Sequence, residues 1–224
     1  MSARAFAIAA LVALGCGDSG TSPDAGTTAA AQHSSAIALT GDGATLFVVN
    51  PDADSVSVVD TASRTLVREI LLAGAHPQAD ATGAYAPSVM PRALALSPDE
   101  KTLFVTGERS SKLHVIDVAS GAPTAAIAVC SEPVGLVLSR AGRDAFVACS
   151  QDDSVVRVDT QSGAVDATAH VGSEPWALAW SSDGATLFAS NFLTANVTPI
   201  DPTTMTPKPP FVVPDVAPRG DRRL

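Results

Sequence analysis

Short apolar stretches alternate with polar, turn-forming residues along most of the chain from about residue 35 onward. The run Ala145–Cys149 is typical: it is apolar, follows a glycine-containing turn and precedes a polar loop. No segment keeps a helical period of 3.6 over ten residues, which argues against a helical solenoid. The pattern therefore predicts an all-β protein of short strands joined by tight turns.

This pattern repeats four times. Phenylalanines in the second strand of each unit are spaced by 57, 42 and 42 residues, at Phe47, Phe104, Phe146 and Phe188. Aspartates that end the third strand have the same spacing, at Asp60, Asp117, Asp159 and Asp201. Because two independent markers share one spacing, the repeat did not arise by chance. A unit of about 42 residues with four short strands is typical of one β-propeller blade.

The repeat divides the chain into four predicted blades with one insertion. The blades span about residues 35–76, 91–132, 133–174 and 175–217, and the inserted loop spans 77–90. In the third unit we expect strands at Gly135–Ser139, Ala145–Cys149, Ser154–Asp159 and Val165–Val171. Residues 218–224 open with Pro-Arg-Gly, which looks like the start of a fifth unit.

The second-strand motifs resemble those of the YVTN β-propeller repeat proteins. Here the motif corresponds to Phe47-Val48-Val49-Asn50, Phe104-Val105-Thr106-Gly107, Phe146-Val147-Ala148-Cys149 and Phe188-Ala189-Ser190-Asn191. The resemblance implies a propeller of four-stranded antiparallel blades, but it does not specify an activity. Propellers of this family close with about seven blades, so we expect about four blades in an incomplete, open ring. A closed four-bladed ring or a dimer of two arcs is the alternative, and an open arc exposes edges that favour self-association.

The N-terminus has the features of a bacterial lipoprotein signal. An apolar run from Ala5 to Gly15 follows Arg4 and ends in Ala13-Leu14-Gly15-Cys16, which resembles a lipobox. We therefore predict a signal peptide at residues 1–15, lipidation of Cys16 and a flexible linker at 16–34, rich in Gly, Ser and Thr. An ordinary signal peptide with a chance cysteine is the alternative. The prediction places the protein in the bacterial cell envelope, lipid-anchored and facing the periplasm or the cell surface, with the membrane contacted only through the anchor.

Charge and cysteine content limit the chemistry further. The chain carries 14 Lys and Arg against 23 Asp and Glu, a net charge of −9, so nucleic acid is not an expected partner. Cys130 and Cys149 lie where the start of one strand and the end of its antiparallel neighbour meet, which predicts a disulfide in an oxidising compartment; two buried free thiols are the alternative. No CxxCH, nucleophile-elbow or dinucleotide-binding motif occurs, and we expect no cofactor, no metal and no catalytic residue.

Candidate binding residues cluster on one predicted face. In a propeller, the loops between blades and the loops after each second strand surround the central channel at the same end. Arg92, Val134 and Trp176 occupy one equivalent position there, although Trp176 could instead pack between blades. The other candidates lie in the insertion or in the loop after the second strand: His76, Tyr85, Asp52 and Asp54. Paired acids could bind Ca²⁺, but the loop lacks the glycine and terminal glutamate of an EF-hand, which favours solvated acids.

We therefore expect a non-catalytic, membrane-tethered propeller that binds a protein or glycan, or scaffolds other proteins. The alternative is part of a propeller enzyme, because some propellers similar to this family are lactonases or cofactor-dependent dehydrogenases. Such enzymes need side chains that converge from most blades on one axis. Of the four histidines, only His76 is a candidate for such a role.

Overall fold

A computed structural model describes residues 33–212, and these residues form an all-β structure of four separate antiparallel sheets. The predicted signal peptide, Cys16, linker residues 17–32 and the residues 218–224 lie outside the described part. Between residues 33 and 212, no helix is long and apolar enough to cross a membrane.

Each sheet is one blade, with its strands in sequence order from the inner to the outer edge. Blade 1 contains β1 (Ile37–Leu39), β2 (Thr45–Asn50), β3 (Ser55–Asp60) and β4 (Thr65–Leu71). Blade 2 contains β5 (Pro91–Leu96), β6 (Thr102–Gly107), β7 (Lys112–Asp117) and β8 (Pro123–Ala128). Blade 3 contains β9 (Pro133–Leu138), β10 (Asp144–Cys149), β11 (Ser154–Asp159) and β12 (Ala164–His170). Blade 4 contains β13 (Pro175–Trp180), β14 (Leu187–Asn191), β15 (Asn196–Asp201), β16 (Thr206–Pro207) and β17 (Phe211–Val212), the last paired with β15.

The hydrophobic core lies between the blades in three clusters, one at each junction of neighbouring blades. Alternate residues of each strand face the two sides of a sheet, so one strand supplies two neighbouring junctions. In β10, for example, Val147 packs toward blade 2 while Phe146 packs toward blade 4. The phenylalanine that marks the repeat is therefore a packing residue, and three of the four are buried.

The aspartates that mark the repeat form the turn after the third strand of each blade. Asp60 Oδ1 accepts hydrogen bonds from the backbone N–H of Ser63 at 2.7 Å and from its hydroxyl at 2.7 Å. Asp117, Asp159 and Asp201 accept the equivalent backbone bond from a serine or threonine three residues later. Because these bonds favour the ionised carboxylate, the pKa of all four aspartates lies below its ordinary value.

A segment before β1, residues 33–36, crosses the inner strands of the other three blades. The Ser34 hydroxyl oxygen accepts hydrogen bonds from the backbone N–H groups of Leu136 at 3.0 Å and Leu178 at 2.9 Å. The Ser35 carbonyl oxygen accepts one from Leu94 N–H at 2.9 Å. The predicted linker includes residues 33 and 34, whereas in the structure both pair with the blades. Gly135 provides space for this segment, because a Cβ at that position would lie 3.1 Å from the Ser34 hydroxyl oxygen.

The predicted fold class is confirmed: the described residues form four propeller blades, and the ring they begin is open. In residues 33–212 no strand of blade 1 pairs with a strand of blade 4. In the third blade, the predicted strand at Ser154–Asp159 matches β11, and the other three differ from the observed strands by one or two residues. Large apolar side chains are exposed on the two end blades, at Ile37, Leu39, Phe192, Leu193, Phe211 and Val212.

Candidate functional site

The inner strands of blades 2, 3 and 4 begin around one depression, which we call the funnel. Its volume is about 340 Å³, and residues from all four blades line it. Its walls carry Arg92, Val134 and Trp176, the three residues that directly follow the opening prolines of their blades. Its floor is the crossing segment, through Ser34, Ser35 and Ala36. The repeat thus brings equivalent positions together around one axis, and the segment before β1 closes the floor beneath them.

Trp176 gives the funnel an exposed aromatic wall. Its side chain is 49% exposed, so the alternative that it packs between blades does not describe this structure. The ring lies beside Phe192, which is 73% exposed, with 6.4 Å between ring centroids. Phe192 directly follows β14, and its backbone N–H donates to the Glu174 carbonyl oxygen at 2.8 Å. The two rings form an apolar surface at the mouth of the funnel that neighbouring blades leave uncovered.

Arg92 contributes a charge that is already paired. Its Nε donates to the carboxylate of Glu108, and its terminal Nη2 lies 3.9 Å from the Met90 sulfur. The Arg92 side chain is 30% exposed and that of Glu108 is 17% exposed. Since the pair orients the guanidinium while leaving part of it exposed, Arg92 can still donate hydrogen bonds into the funnel.

Three of the sequence-predicted candidates lie together, but outside the funnel. Nε2 of His76 is 3.4 Å from a Glu69 carboxylate oxygen, and the Tyr85 hydroxyl donates to the backbone carbonyl of Asp52. His76 and Tyr85 are half exposed. The Tyr85 bond, together with the 3.4 Å approach of His76 Nδ1 to the Ala53 carbonyl oxygen, holds the insertion against the loop after β2 of blade 1. His76, Tyr85 and Asp52 therefore do not line the funnel, whereas Met90, the last residue of the insertion, contacts Arg92.

Asp54 holds the end of the insertion in place. It is 1% exposed, and its carboxylate accepts hydrogen bonds from the backbone N–H groups of Ser88 at 2.6 Å, Met90 at 2.8 Å and Val89 at 3.0 Å. The Ser88 hydroxyl donates a fourth bond at 3.0 Å. Burial opposes ionisation, but the hydrogen bonds outweigh it, so the pKa of Asp54 lies below its ordinary value. With both oxygens engaged, Asp54 is a structural residue rather than an exposed ligand of a binding partner.

Metal-binding geometry is not found in the described part of the chain. Between residues 33 and 212 no group of three or more His, Cys, Asp or Glu side chains is arranged to hold an ion.

In blades 1, 3 and 4 the side chain of the last residue of the second-strand motif fixes the loop on the funnel side. In blades 1 and 4 the Asn50 and Asn191 amides donate to hydroxyls on the third strand, at 2.9 Å to Ser57 and 2.8 Å to Thr198. Blade 3 has Cys149 at this position, and the structure joins it to Cys130 in a disulfide with a Cα–Cα distance of 5.9 Å.

Blade 2 fills the same position differently, with Gly107 and a histidine. His114 takes the space, and its Nε2 lies 3.0 Å from the Ser110 hydroxyl oxygen. A Cβ on Gly107 would lie 2.9 Å from that same nitrogen. Burial, together with Lys112, lowers the pKa of His114 despite the nearby charge of Asp54, which favours the neutral imidazole. In blade 2, Gly107 and His114 together thus take the place of the asparagine in blades 1 and 4.

The sequence-predicted candidates lack Ser34, which lines the funnel, and Phe192, whose ring lies beside Trp176. Phe192 lies one residue beyond the motif of blade 4, and an aromatic residue directly after a second strand was the available signal. Ser34 carried no signal, because its partners Leu136 and Leu178 are 102 and 144 residues away in sequence.

Comparison with known proteins connects the chain to one family. A model of the family described as "Lactonase, 7-bladed beta-propeller" matches residues 18–139, more than half of the chain. No curated protein matches.

Solved structures with similar folds belong to proteins of diverse kinds. They include Kuenenia stuttgartiensis hydrazine synthase (25% identity, TM-score 0.65, 79% of this chain and 48% of that chain). A streptogramin B lyase structure also matches (16% identity, TM-score 0.64, 82% and 56%), as does a chain of the mitotic checkpoint complex (18% identity, TM-score 0.60, 80% and 50%). The chain therefore spans about half the length of the solved proteins that it resembles.

Proposed function

The chain belongs to the seven-bladed β-propeller lactonase family, and within that family we propose that it is a binding module whose ligand site is the funnel. The ligand is a protein or a glycan of the cell envelope. One observation carries the proposal: Trp176 is half exposed at the wall of a depression to which all four blades contribute.

The funnel has the chemistry of recognition. Exposed tryptophan and partly exposed arginine are the side chains that contribute most to binding surfaces. Trp176 and Phe192 present adjoining aromatic surface that a sugar face or an apolar protein side chain can cover. Arg92, held by Glu108, adds oriented N–H donors beside it. Aromatic surface with a few fixed polar groups is the usual composition of a ligand site.

We also propose that the protein is of the YVTN-repeat type and is tethered to the bacterial envelope through Cys16. The lipobox-like sequence and the Gly/Ser/Thr-rich residues that follow support this assignment. Metabolic labelling with a palmitate analogue should mark the wild-type protein but not Cys16→Ser. Label retained in Cys16→Ser would contradict the anchor.

The exposed apolar side chains of blades 1 and 4 support a further part of this proposal, self-association through the uncovered blade faces. Light scattering of the protein without its lipid should show dimers that dissociate on dilution. A monomer over the whole concentration range would contradict this part and leave the funnel proposal intact.

The experiment for the binding proposal is a screen with two matched variants. Purified protein is tested on a glycan array and against purified envelope proteins, beside Trp176→Ala and Phe211→Ala. Phe211 is 48% exposed, nearly the same as Trp176, but it lies on the outer strand β17 and does not line the funnel. Ligands retained by Phe211→Ala and lost by Trp176→Ala support the proposal. Ligands that bind all three proteins equally would refute it.

Lactone hydrolysis is the second candidate, and the family match favours it. Its test is hydrolysis of glucono-δ-lactone, followed by pH-stat titration, for wild type and His76→Gln. Turnover in the wild type that is lost in the variant would replace the binding proposal. Rates equal to the uncatalysed reaction for both proteins would leave binding as the function.

A further inference from the structure

A second cavity lies between blades 3 and 4, at the opposite end of the blades from the funnel. Trp176 and Trp180 show the separation, since they lie near opposite ends of strand β13. The cavity has a volume of about 310 Å³, at the lower end of the range for small-molecule sites. Leu138, Phe146 and Trp180 form its apolar part. Both blades that enclose it belong to the described structure, so the site needs no further blade.

The chemically distinctive residues of this cavity are departures from the repeat. At the position of Trp180 the other three blades have leucine: Leu39, Leu96 and Leu138. At the position of Asp144 they have threonine: Thr45, Thr102 and Thr186. At the position of Arg157 they have valine or proline: Val58, Val115 and Pro199. Arg140 likewise replaces Gly41, Pro98 and Ser182. Four departures that converge on one cavity do not follow from the needs of blade packing, which the other blades meet without them.

The turn geometry explains why the cavity is open at this junction. Between blades 2 and 3, Gly142 lies against Pro98, so close that an added Cβ would be 2.5 Å from the proline Cδ. Between blades 3 and 4 the equivalent residues are Gly184 and Arg140, and a Cβ on Gly184 would meet nothing within 4 Å. The space that a turn fills at one junction is thus left free at the next.

Aromatic side chains with fixed orientations form the floor. Phe146 and Trp180 pack edge to face, with ring centroids 5.2 Å apart and an angle of 89° between the ring planes. Trp180 Nε1 donates to the Leu138 carbonyl oxygen at 2.9 Å, which holds the indole in position. A rigid aromatic floor favours a ligand that is itself apolar and planar.

Two arginines and one aspartate line the cavity, and one of the arginines is held by neighbouring groups. Arg157 is engaged: Nε donates to Asp166 at 2.7 Å, and Nη1 donates to the carbonyl oxygens of Pro202 at 3.2 Å and Thr203 at 2.9 Å. The hydrogen bond to Asp166 and the charge of Asp144 raise the pKa of Arg157, despite its partial burial. In the described part of the chain, by contrast, no hydrogen bond or ion pair reaches the guanidinium of Arg140, an exposed residue that lines the same cavity as the Asp144 carboxylate.

We propose that this cavity binds a small aromatic carboxylic acid. The aromatic ring lies against Trp180 and Phe146, and the carboxylate pairs with the guanidinium of Arg140, the group suited to bidentate recognition of a carboxylate. The site differs from the funnel in place and in ligand, so its occupation does not depend on the function proposed above.

The two tryptophans of the chain, Trp176 and Trp180, allow a direct test. In Trp176→Phe, Trp180 is the only tryptophan, and its emission reports on the cavity alone. The full chain with this substitution is titrated with 3-phenylpropionate and with 3-phenylpropionamide, which has the same shape but no charge. The titrations are repeated with Arg140→Gln and with the control Arg143→Gln, each added to Trp176→Phe. Arg143 lies on the same turn, is exposed and faces Asp159 at 3.7 Å rather than the cavity.

The expected result is a saturable change in Trp180 emission with the carboxylate, and binding of the amide at least tenfold weaker. Arg140→Gln should reduce carboxylate affinity to that of the amide, while Arg143→Gln leaves it within twofold. Equal affinity for carboxylate and amide would overturn the proposal. Equal effects of Arg140→Gln and Arg143→Gln, or no saturable change with either probe, would overturn it as well. Unchanged circular dichroism of the variants excludes unfolding as the cause.

Discussion

Removal of the Asp54 carboxylate should destabilise the protein far more than removal of the equivalent carboxylate in blade 3. Asp54→Ala removes the acceptor of three backbone N–H groups, those of the buried Val89, the half-buried Met90 and the exposed Ser88. Each unsatisfied buried donor costs about 1–3 kcal/mol, and the costs do not add fully. Because water can reach the Ser88 N–H and part of Met90, we expect a loss of about 2–3 kcal/mol in the free energy of unfolding.

Asp153 is the matched control, because it has the same place in its blade and the same left-handed backbone. Its φ is 48°, against 52° for Asp54. It also accepts a backbone bond, from Glu174 N–H at 2.9 Å, but it is exposed, so water can replace the carboxylate. Asp153→Ala should therefore cost less than about 1 kcal/mol. Urea unfolding at neutral pH measures both values, and a difference below about 1 kcal/mol would refute the reasoning.

The pH dependence gives a second measurement on Asp54. Its pKa is lower in the folded protein than in the unfolded chain, so its contribution to stability is complete above the unfolded value and is lost as pH falls through the folded value. Wild type should therefore lose stability in acid more steeply than Asp54→Asn. Parallel stability curves for the two proteins between neutral and acidic pH would contradict this.

Three further predictions concern single contacts. Replacing Cys130 and Cys149 by alanine should lower the free energy of unfolding by about 3 kcal/mol, as expected for a closed loop with a sequence separation of 19, and a reductant should have no further effect on the variant. Gly107→Ala should cost about 1–3 kcal/mol by overpacking, since its Cβ would lie 2.7 Å from a methyl carbon of Val89; an unchanged thermal midpoint would contradict the packing there. Ser34→Ala should cost about 1–3 kcal/mol and speed amide exchange at Leu136 and Leu178, the two donors to its hydroxyl oxygen; unchanged exchange at both would contradict the crossing segment.

Most of the fold could be predicted from the sequence because the stabilising contacts are local and repeated. Phe104 and Phe146 each pack at a junction between neighbouring blades, and Asp117 and Asp159 each close a turn with a residue three positions later. Such contacts recur every 42 residues and leave a visible spacing. The equivalence of Arg92 and Trp176 followed from the same spacing, and both line the funnel.

The rest of the site depends on contacts that the repeat does not encode. Ser34 bonds to two blades far along the chain, and nothing near it in sequence indicates those partners. Asp54 looked like one of two loop acids, but the insertion folds over it and donates four hydrogen bonds to it. Asp54, a candidate binding residue by sequence, therefore has a structural role, because the insertion covers it.

Affinity at the funnel tests the central proposal most directly. For a glycan or envelope protein identified in the screen, the dissociation constant is measured by calorimetry for wild type, Trp176→Ala and Phe211→Ala. An anchoring tryptophan contributes about 2 kcal/mol or more to binding, so Trp176→Ala should weaken affinity about thirtyfold or more. Phe211 is about as exposed as Trp176 but lies outside the funnel, so Phe211→Ala should change the dissociation constant by no more than about twofold. Equal affinities of the wild type and Trp176→Ala would contradict the assignment of the funnel as the binding site.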